Sequence, residues 1–269
     1  VVTRRQRQMC IRDRNNRVHT SYNLFGTTTG RLSSEKPNLQ NIPNKTEMGQ
    51  KIREFFVADS KHTFVIADYS QIELRVLAHL SDDKNMINML KNRDADIHSE
   101  TAAKIFNTNI DSVTKDMRRK AKEVNFGLIY GMESFGLSKS LDISKKEADE
   151  LIKAYFGQFP KIKGFLEKIV VDATKNTYTE TLYGRKRFIR ELSSSNFQVK
   201  AMGKRIAMNA PIQGTASDIM KIAMIKLIKK LSPLESTNLL LQIHDEIIIQ
   251  TPKVLSDKVS NIVQKEMEN

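Results

Sequence analysis

Asp68 and Asp245 each stand at the end of an unusually apolar run. Phe64, Val65, Ile66 and Ala67 lead into the first, and Leu239, Leu240, Leu241, Gln242 and Ile243 lead through His244 to the second. A carboxylate in such a setting is costly unless it is solvated, paired or bound to a metal ion. Either one alone reads better as a turn aspartate. As two strand ends in one sheet, they could hold a pair of Mg²⁺ ions about 4 Å apart, the arrangement used for in-line displacement at phosphorus. Nucleases and polymerases share that device, and the acids alone do not choose between them.

A second constellation lies in RRKAKEVNFGLIYG, residues 118 to 131. Arg118, Lys122, Phe126 and Tyr130 are spaced four apart, so on a helix they form a slowly drifting stripe on the order of 18 Å long. Cations fill its first half and rings its second. A nucleoside triphosphate has the same anatomy, with phosphates that favour Lys and Arg and a base that favours stacking. Gly127 and Gly131 weaken a helix by about 1 kcal/mol each, and are expected where a substrate or template backbone approaches. An ordinary amphipathic helix with a buried aromatic face and a solvated basic end fits the same spacing.

The elements that must carry these residues are legible from pattern. Residues 15 to 44 are rich in Thr, Ser, Asn and Gly and read as loop and short strand. The run before Asp68 reads as a buried strand, and Ile72, Val76 and Leu80 follow at helical spacing. Residues 94 to 175 read as mostly helical, with a capping box at Ser144 to Glu147 and a stop at Pro160. Thr177 to Ile189 reads as a hairpin pivoting on Gly184 with a basic Arg185, Lys186, Arg187 tip. Helix returns from Asn196 to Leu231, bent or broken near Pro211. Two short strands joined through His244, Asp245 and Glu246 close the pattern as a tight hairpin. The two acidic strand ends are expected in one sheet, with the helical middle as an insertion.

Composition bounds the class. The 269 residues carry 44 Lys plus Arg against 31 Asp plus Glu, a net charge of +13, and are 39% hydrophobic. That is enough apolar residue for a folded core, and the charge favours a polyanionic partner. No uncharged run approaches the ~20 residues that span a bilayer, and no signal peptide is visible, so no membrane partner is expected. A single cysteine excludes an internal disulfide and a thiolate metal cage, which points to a reducing, cytoplasmic setting. Residues 1 to 14 hold five arginines, one aspartate and that cysteine without periodicity, and read as a foreign or disordered basic tail rather than a nucleic-acid-gripping arm.

Five blocks carry a resemblance: TTTGRLSSEKPNLQNIP (27 to 43), DYSQIELRVLAHLSDD (68 to 83), RRKAKEVNFGLIYGMESFGL (118 to 137), NAPIQGTASDIMK (209 to 221) and QIHDEIII (242 to 249). In this order and at these intervals they resemble the motifs of family A DNA polymerases, bacterial ones in particular. The resemblance implies that Asp68 and Asp245 are the catalytic metal-binding pair, with Glu246 in support and Tyr69 lending a backbone carbonyl to a metal. It implies that Gln71, Glu73, His98, Arg118, Lys122, Phe126 and Tyr130 bind the deoxynucleoside triphosphate. Among these, Lys122 would give a proton to leaving pyrophosphate, Glu73 would wall off the sugar 2′ position and His98 would add a phosphate contact. It implies that Arg31, Arg205, Asn209, Gln213 and His244 contact primer or template.

The architecture that follows from the resemblance is α+β, a right-hand polymerase palm with an antiparallel sheet and inserted helical fingers. The expected boundaries are palm over 15–81 and 196–269 and fingers over 82–195, the last segment truncated and the thumb absent. The expected reaction is DNA-directed nucleotidyl transfer to a primer 3′-hydroxyl with two Mg²⁺ ions. Primed DNA and deoxynucleoside triphosphates are the partners, with no proofreading, for a monomer in the bacterial cytoplasm at the nucleoid. The alternative is a catalytically impaired nucleic-acid-binding fragment of such an enzyme. A two-metal nuclease would explain the acids but not the Arg, Lys, Phe, Tyr stripe.

Overall fold

A computed structural model describes residues 17–43, 46–92 and 96–268. The tail expected over residues 1–14 lies outside them. The chain divides into two compact units, Val1–Ser70 with Ser217–Asn269, and Gln71–Ala216.

In the first unit a short ribbon of β1 (Ser21–Asn23) and β2 (Ser33–Glu35) precedes α1 (Glu47–Glu54) and β3 (His62–Asp68). Its remaining strands are β6 (Asn238–Ile243) and β7 (Glu246–Pro252), followed by α10 (Ser256–Glu268). The sheet is antiparallel in the order β3, β7, β6, so the strands leading to the two acids do share one sheet. Strand period two sends Val65 and Ala67 of β3, with Ile247 and Ile249 of β7, to one face. There they pack on Met220, Leu227, Leu231, Val259 and Val263. Each fully buried Leu, Ile or Val of this cluster contributes roughly 1.5–3 kcal/mol.

The other face is not covered in the same way. Ile66 is 56% exposed, and Asp68 stands two residues on along the same side of the strand. The expectation of a fully buried strand is therefore corrected to a half-buried one, whose open face carries the carboxylate.

The second unit is helical: α2 (Ile72–Ser81), α3 (Lys84–Lys91), α4 (Ile97–Ile105), α5 (Lys115–Ile129), α6 (Ser134–Leu141), α7 (Lys145–Gln158) and α8 (Pro160–Asn176). Side-chain caps start several of them. Asp83 accepts from Met86 N, Asp96 from His98 N and Thr114 from Met117 N, and Ser144 with Glu147 forms the full capping box. Such a cap is worth about 1 kcal/mol. Pro160 does not merely stop α7. It occupies the first position of α8, where its missing N–H costs nothing. Tyr155 and Phe159, both fully buried, meet at 5.0 Å between ring centroids in the core of this unit.

A ribbon of β4 (Tyr178–Glu180) and β5 (Lys186–Phe188) turns at Gly184, whose φ of +81° suits glycine. The longest of the described helices, α9 (Phe197–Leu231), is continuous through Pro211, which corrects the expected break. An interior proline costs about 3 kcal/mol, but here the helix runs 35 residues and buries Ala207, Ala210, Ile212 and Ala216 on both sides of it.

Candidate active site

The acidic end of the first unit is assembled by strand register. Asp68 lies opposite Glu246 in the β3–β7 ladder, so their side chains share the open face. The β6–β7 turn places His244 in the left-handed region at φ 56° and presents Asp245. Tyr69 N donates to the Asp245 carbonyl at 3.0 Å, fastening that turn to the end of β3. The Tyr69 hydroxyl donates to the Met267 carbonyl at 2.8 Å, tying the same residue to α10.

Both carboxyls are destabilised as anions. Burial pushes the Asp68 carboxyl above its ordinary range although the residue keeps an exposed side, the Glu246 charge adds to this, and the Tyr69 N–H opposes it. Burial also raises Asp245, with the Asp68 charge adding and Arg31 and His244 opposing. Arg31 Nη2 stands 3.8 Å from Asp245 Oδ1, a long ion pair that outweighs the Asp68 charge but not the burial. Arg31, Ser217, Lys221, Gln242, His244 and Asp245 line one cleft.

A buried polar network holds the hairpin from behind. The Tyr22 hydroxyl donates to the Gln242 carbonyl at 2.8 Å and accepts from its N–H at 3.0 Å. Gln40 Nε2 donates to the Gln242 side-chain oxygen at 3.1 Å, and Gln242 Nε2 donates to the His244 carbonyl. Sequence reasoning missed Tyr22, Gln40 and Gln242 as positioning residues. The signals for Gln242 were a polar residue interrupting an apolar strand and its place at the start of the block 242 to 249.

The cationic stripe belongs to the second unit. Arg118, Lys122 and Phe126 ride α5, but Tyr130 is its C-terminal cap and not part of the helix. Arg118 pairs with Asp96 through Nε and, at 3.2 Å, through Nη2. Burial alone would raise the Asp96 carboxyl, but Arg118, Ser99 and the His98 N–H bring it down to about 2. The Tyr130 hydroxyl donates to Glu73 Oε2 at 2.6 Å, and Glu73 is only 5% exposed. A glutamate at the surface is thereby excluded. Gln71 precedes α2 in the left-handed region at φ 54°, without a side-chain cap.

His98 sits behind the stripe. It is 2% exposed, accepts at Nδ1 from Asn125 Nδ2 at 3.2 Å and lies 5.6 Å from the Phe126 ring. Burial, then the Lys122 and Arg118 charges, lower its pKa to about 4 against the pull of Asp96. A phosphate contact from this residue would therefore come from a neutral ring.

The glycines have an internal reason. A Cβ on Gly127 would meet Met132 Sδ at 3.1 Å, and one on Gly131 would meet Arg205 Cγ at 2.9 Å. Close packing within the unit is thus a reason for glycine that needs no substrate. Arg205, Asn209 and Gln213 follow one another at four-residue spacing along α9, the first exposed and the others half-buried, so they share a face.

Among the described residues no group of three or more His, Cys, Asp or Glu is arranged to hold a metal ion. No helix among them is long and apolar enough to cross a membrane.

The family described as DNA polymerase family A matches residues 3–269, which takes in most of the basic N-terminal stretch. The chain is 49% identical over 254 residues to DNA polymerase I of Caldicellulosiruptor bescii, covering 94% of this chain and 30% of that protein. It is 47% identical over 260 residues to DNA polymerase I of Bacillus caldotenax, covering 96% and 30%. The chain thus spans about a third of the length of these relatives. Among solved structures, the POL domain of Pol1 from M. smegmatis, in complex with DNA primer-template and dNTP, superposes with a TM-score of 0.92 at 40% identity, covering 97% of this chain and 46% of that one.

Proposed function

The chain belongs to DNA polymerase family A, and from that membership we propose that it carries the nucleotidyl-transfer centre of a DNA-directed DNA polymerase. The observation that carries the proposal is the pairing of Asp68 and Asp245 at adjoining strand ends, fastened by the Tyr69 N–H to the Asp245 carbonyl. The DNA and dNTP bound by the M. smegmatis relative support primed DNA and deoxynucleoside triphosphates as ligands here. On this reading the palm is residues 15–81 with 196–269, and the inserted helices of 82–195 are the fingers.

The donor set fits a divalent cation. Two carboxyls that burial and a neighbouring carboxylate disfavour as anions, Glu246 beside Asp68 and Asp68 beside Asp245, with one arginine at 3.8 Å from Asp245 as partial offset, are stabilised by added positive charge. Asp68, Asp245 and the Tyr69 carbonyl would hold Mg²⁺, with Glu246 beside them. When bound, two such ions would activate the primer 3′-hydroxyl and neutralise the charge gathering on pyrophosphate.

The chain's own residues do the rest. Arg118 and Lys122 bind the triphosphate, and Lys122 delivers a proton to the leaving oxygen as the bond between the α and β phosphates breaks. Phe126 stacks on the sugar and base, Tyr130 stands beside the templating base, and Gln71 and Glu73 border the nucleotide sugar. Arg31, Arg205, Asn209, Gln213 and His244 hold primer and template through the minor groove, where readout is nearly independent of sequence.

The test is extension of a labelled primer on a template of known sequence, one dNTP at a time, with and without Mg²⁺. Addition of only the complementary nucleotide, dependent on the metal, supports the reading. Binding with steep salt dependence and no extension would mark a DNA-binding fragment, and shortening of the primer a nuclease.

A further inference from the structure

Asn125 is wholly buried on α5, on the side that packs against α4. Its Nδ2 donates twice, to His98 Nδ1 at 3.2 Å and to Thr101 Oγ1 at 3.1 Å, while its Oδ1 has no partner. The opposite orientation of the amide would bury two donor hydrogens without an acceptor instead of one oxygen, the worse arrangement. A nitrogen that accepts carries no hydrogen, so the ring hydrogen of neutral His98 resides on Nε2. No hydrogen bond from Nε2 to a described residue is present, so this nitrogen is left for another acceptor.

We infer that Asn125 is a positioning residue that occupies Nδ1 of His98, fixes the tautomer with hydrogen on Nε2, and makes His98 an uncharged hydrogen-bond donor to a triphosphate oxygen of the incoming nucleotide. The donor role rests on the polymerase reading above, whereas the tautomer does not. Geometry gives the residue its purpose. Arg118 and Lys122 on the same helix as Asn125 already supply charge, and a third cation between them would have to be desolvated beside two others. The charges acting on the ring are Asp96, at the cap of its own helix, and Arg118 and Lys122. Protonation at Nδ1 would require the Asn125 bond to break, so a bound triphosphate cannot readily convert His98 into an imidazolium. The proton for the leaving group is then left to Lys122.

The experiment uses the whole chain with ¹⁵N-labelled histidine. Five histidines are present, and His98→Gln identifies the signal. The expected result is the Nε2–H tautomer at pH 7, no titration near the ordinary value of about 6.5, and a change at Nε2 but not Nδ1 when dATP and Mg²⁺ are added to primed DNA complex. Asn125→Asp, of the same shape, turns the donor into an acceptor and should bring His98 titration into the neutral range. The ratio of variant to wild-type KM for dATP should then change by roughly tenfold between about pH 5.5 and 8, the effect of gaining charge on a phosphate hydrogen bond, while kcat moves little.

A purely structural Asn125 would lower stability yet leave tautomer and pH profile alone, and that outcome overturns the inference. So does an Nδ1–H tautomer in the wild-type protein, a result that needs no variant to fold. An Nε2–H tautomer untouched by dATP in a chain that extends primers overturns the donor role. Failure to bind any dNTP contradicts the polymerase reading and the donor role with it, leaving the tautomer to be judged by the free protein's spectrum.

Discussion

The Tyr130 hydroxyl donates to Glu73 Oε2 at 2.6 Å, linking the C-terminal cap of α5 to the first turn of α2 within the helical unit. A carboxylate 5% exposed and held by a short bond is a fixed wall, unlike a mobile surface glutamate. Glu73→Ala should raise the efficiency of ribonucleotide over deoxynucleotide incorporation by about 10- to 100-fold, since a clashing or stranded polar contact costs about 1–3 kcal/mol. Tyr130→Phe should move the same ratio in the same direction but less. The check is the ratio of kcat/KM for a ribonucleotide and its deoxy counterpart, and an unchanged ratio in Glu73→Ala removes this residue from the sugar site.

Lys122→Ala should lower turnover by about 10²-fold or more, the range of a positioned proton donor. Arg118→Ala should act mainly on dNTP affinity, because its guanidinium is a fixed charge held by Asp96. Single-turnover rates at saturating dNTP separate the two, and equal loss of rate in both variants would contradict the division of roles.

The Arg118–Asp96 pair also sets a pH dependence. The Asp96 pKa is depressed to about 2 in the folded chain against about 3.9 unfolded. Its contribution to stability is therefore present above about pH 4 and lost as pH falls toward about 2. Asp96→Asn should be less stable than wild type at pH 7 by about 1 kcal/mol, the value of a part-exposed pair. Denaturant melts at pH 7 and pH 2.5 should show the gap narrowing at the lower pH. A gap independent of pH would assign the loss to the helix cap alone.

Asp245 has the opposite sign. Its raised pKa means the folded chain binds more protons than the unfolded one, so stability falls as pH rises from the unfolded pKa of about 3.9 through the raised folded pKa, and the full penalty stands above it. Asp245→Asn should melt at a higher temperature than wild type at pH 7 in the absence of divalent metal, and the difference should close below about pH 4. Added Mg²⁺ should raise the melting temperature of the wild type more than that of the variant. A variant that melts lower at pH 7 would contradict the account of a strained carboxylate pair.

Tyr22→Phe should cost about 1–3 kcal/mol, because it strands the buried N–H of Gln242, whose carbonyl keeps the Gln40 Nε2 donor. It should also slow extension with little change in DNA affinity, since that network reaches the His244 carbonyl and holds the turn that bears Asp245. Loss of DNA affinity in step with activity would show that Tyr22 serves the fold generally.

Much of this was legible in the sequence because local signals agreed with the fold. The β3 and β6–β7 runs, the turn at His244, the capping box at Ser144 and the hairpin at Gly184 each depend on residues near in sequence. What escaped depended on partners far away. Ile66 is as apolar as Val65, and only the stacking of helices on one side of the sheet shows which is covered. Gly131 reads as an approach site until Arg205 is found 2.9 Å from where its Cβ would be. Asn125 and Gln242 lie within the quoted motif blocks without a role of their own, since an amide becomes a positioning group only through the acceptor it faces. Pro211 does not break its helix because the burial around it outweighs local propensity.

The central claim is that Asp68 and Asp245 together perform nucleotidyl transfer. The most direct measurement is the single-turnover rate of nucleotide addition to a primed template in Mg²⁺ for wild type, Asp68→Asn and Asp245→Asn, with DNA affinity measured alongside. The account predicts addition by the wild type and loss of at least about 10³-fold in each variant, roughly 4 kcal/mol of transition-state stabilisation, with DNA binding largely retained. Near-normal addition by either variant would contradict it.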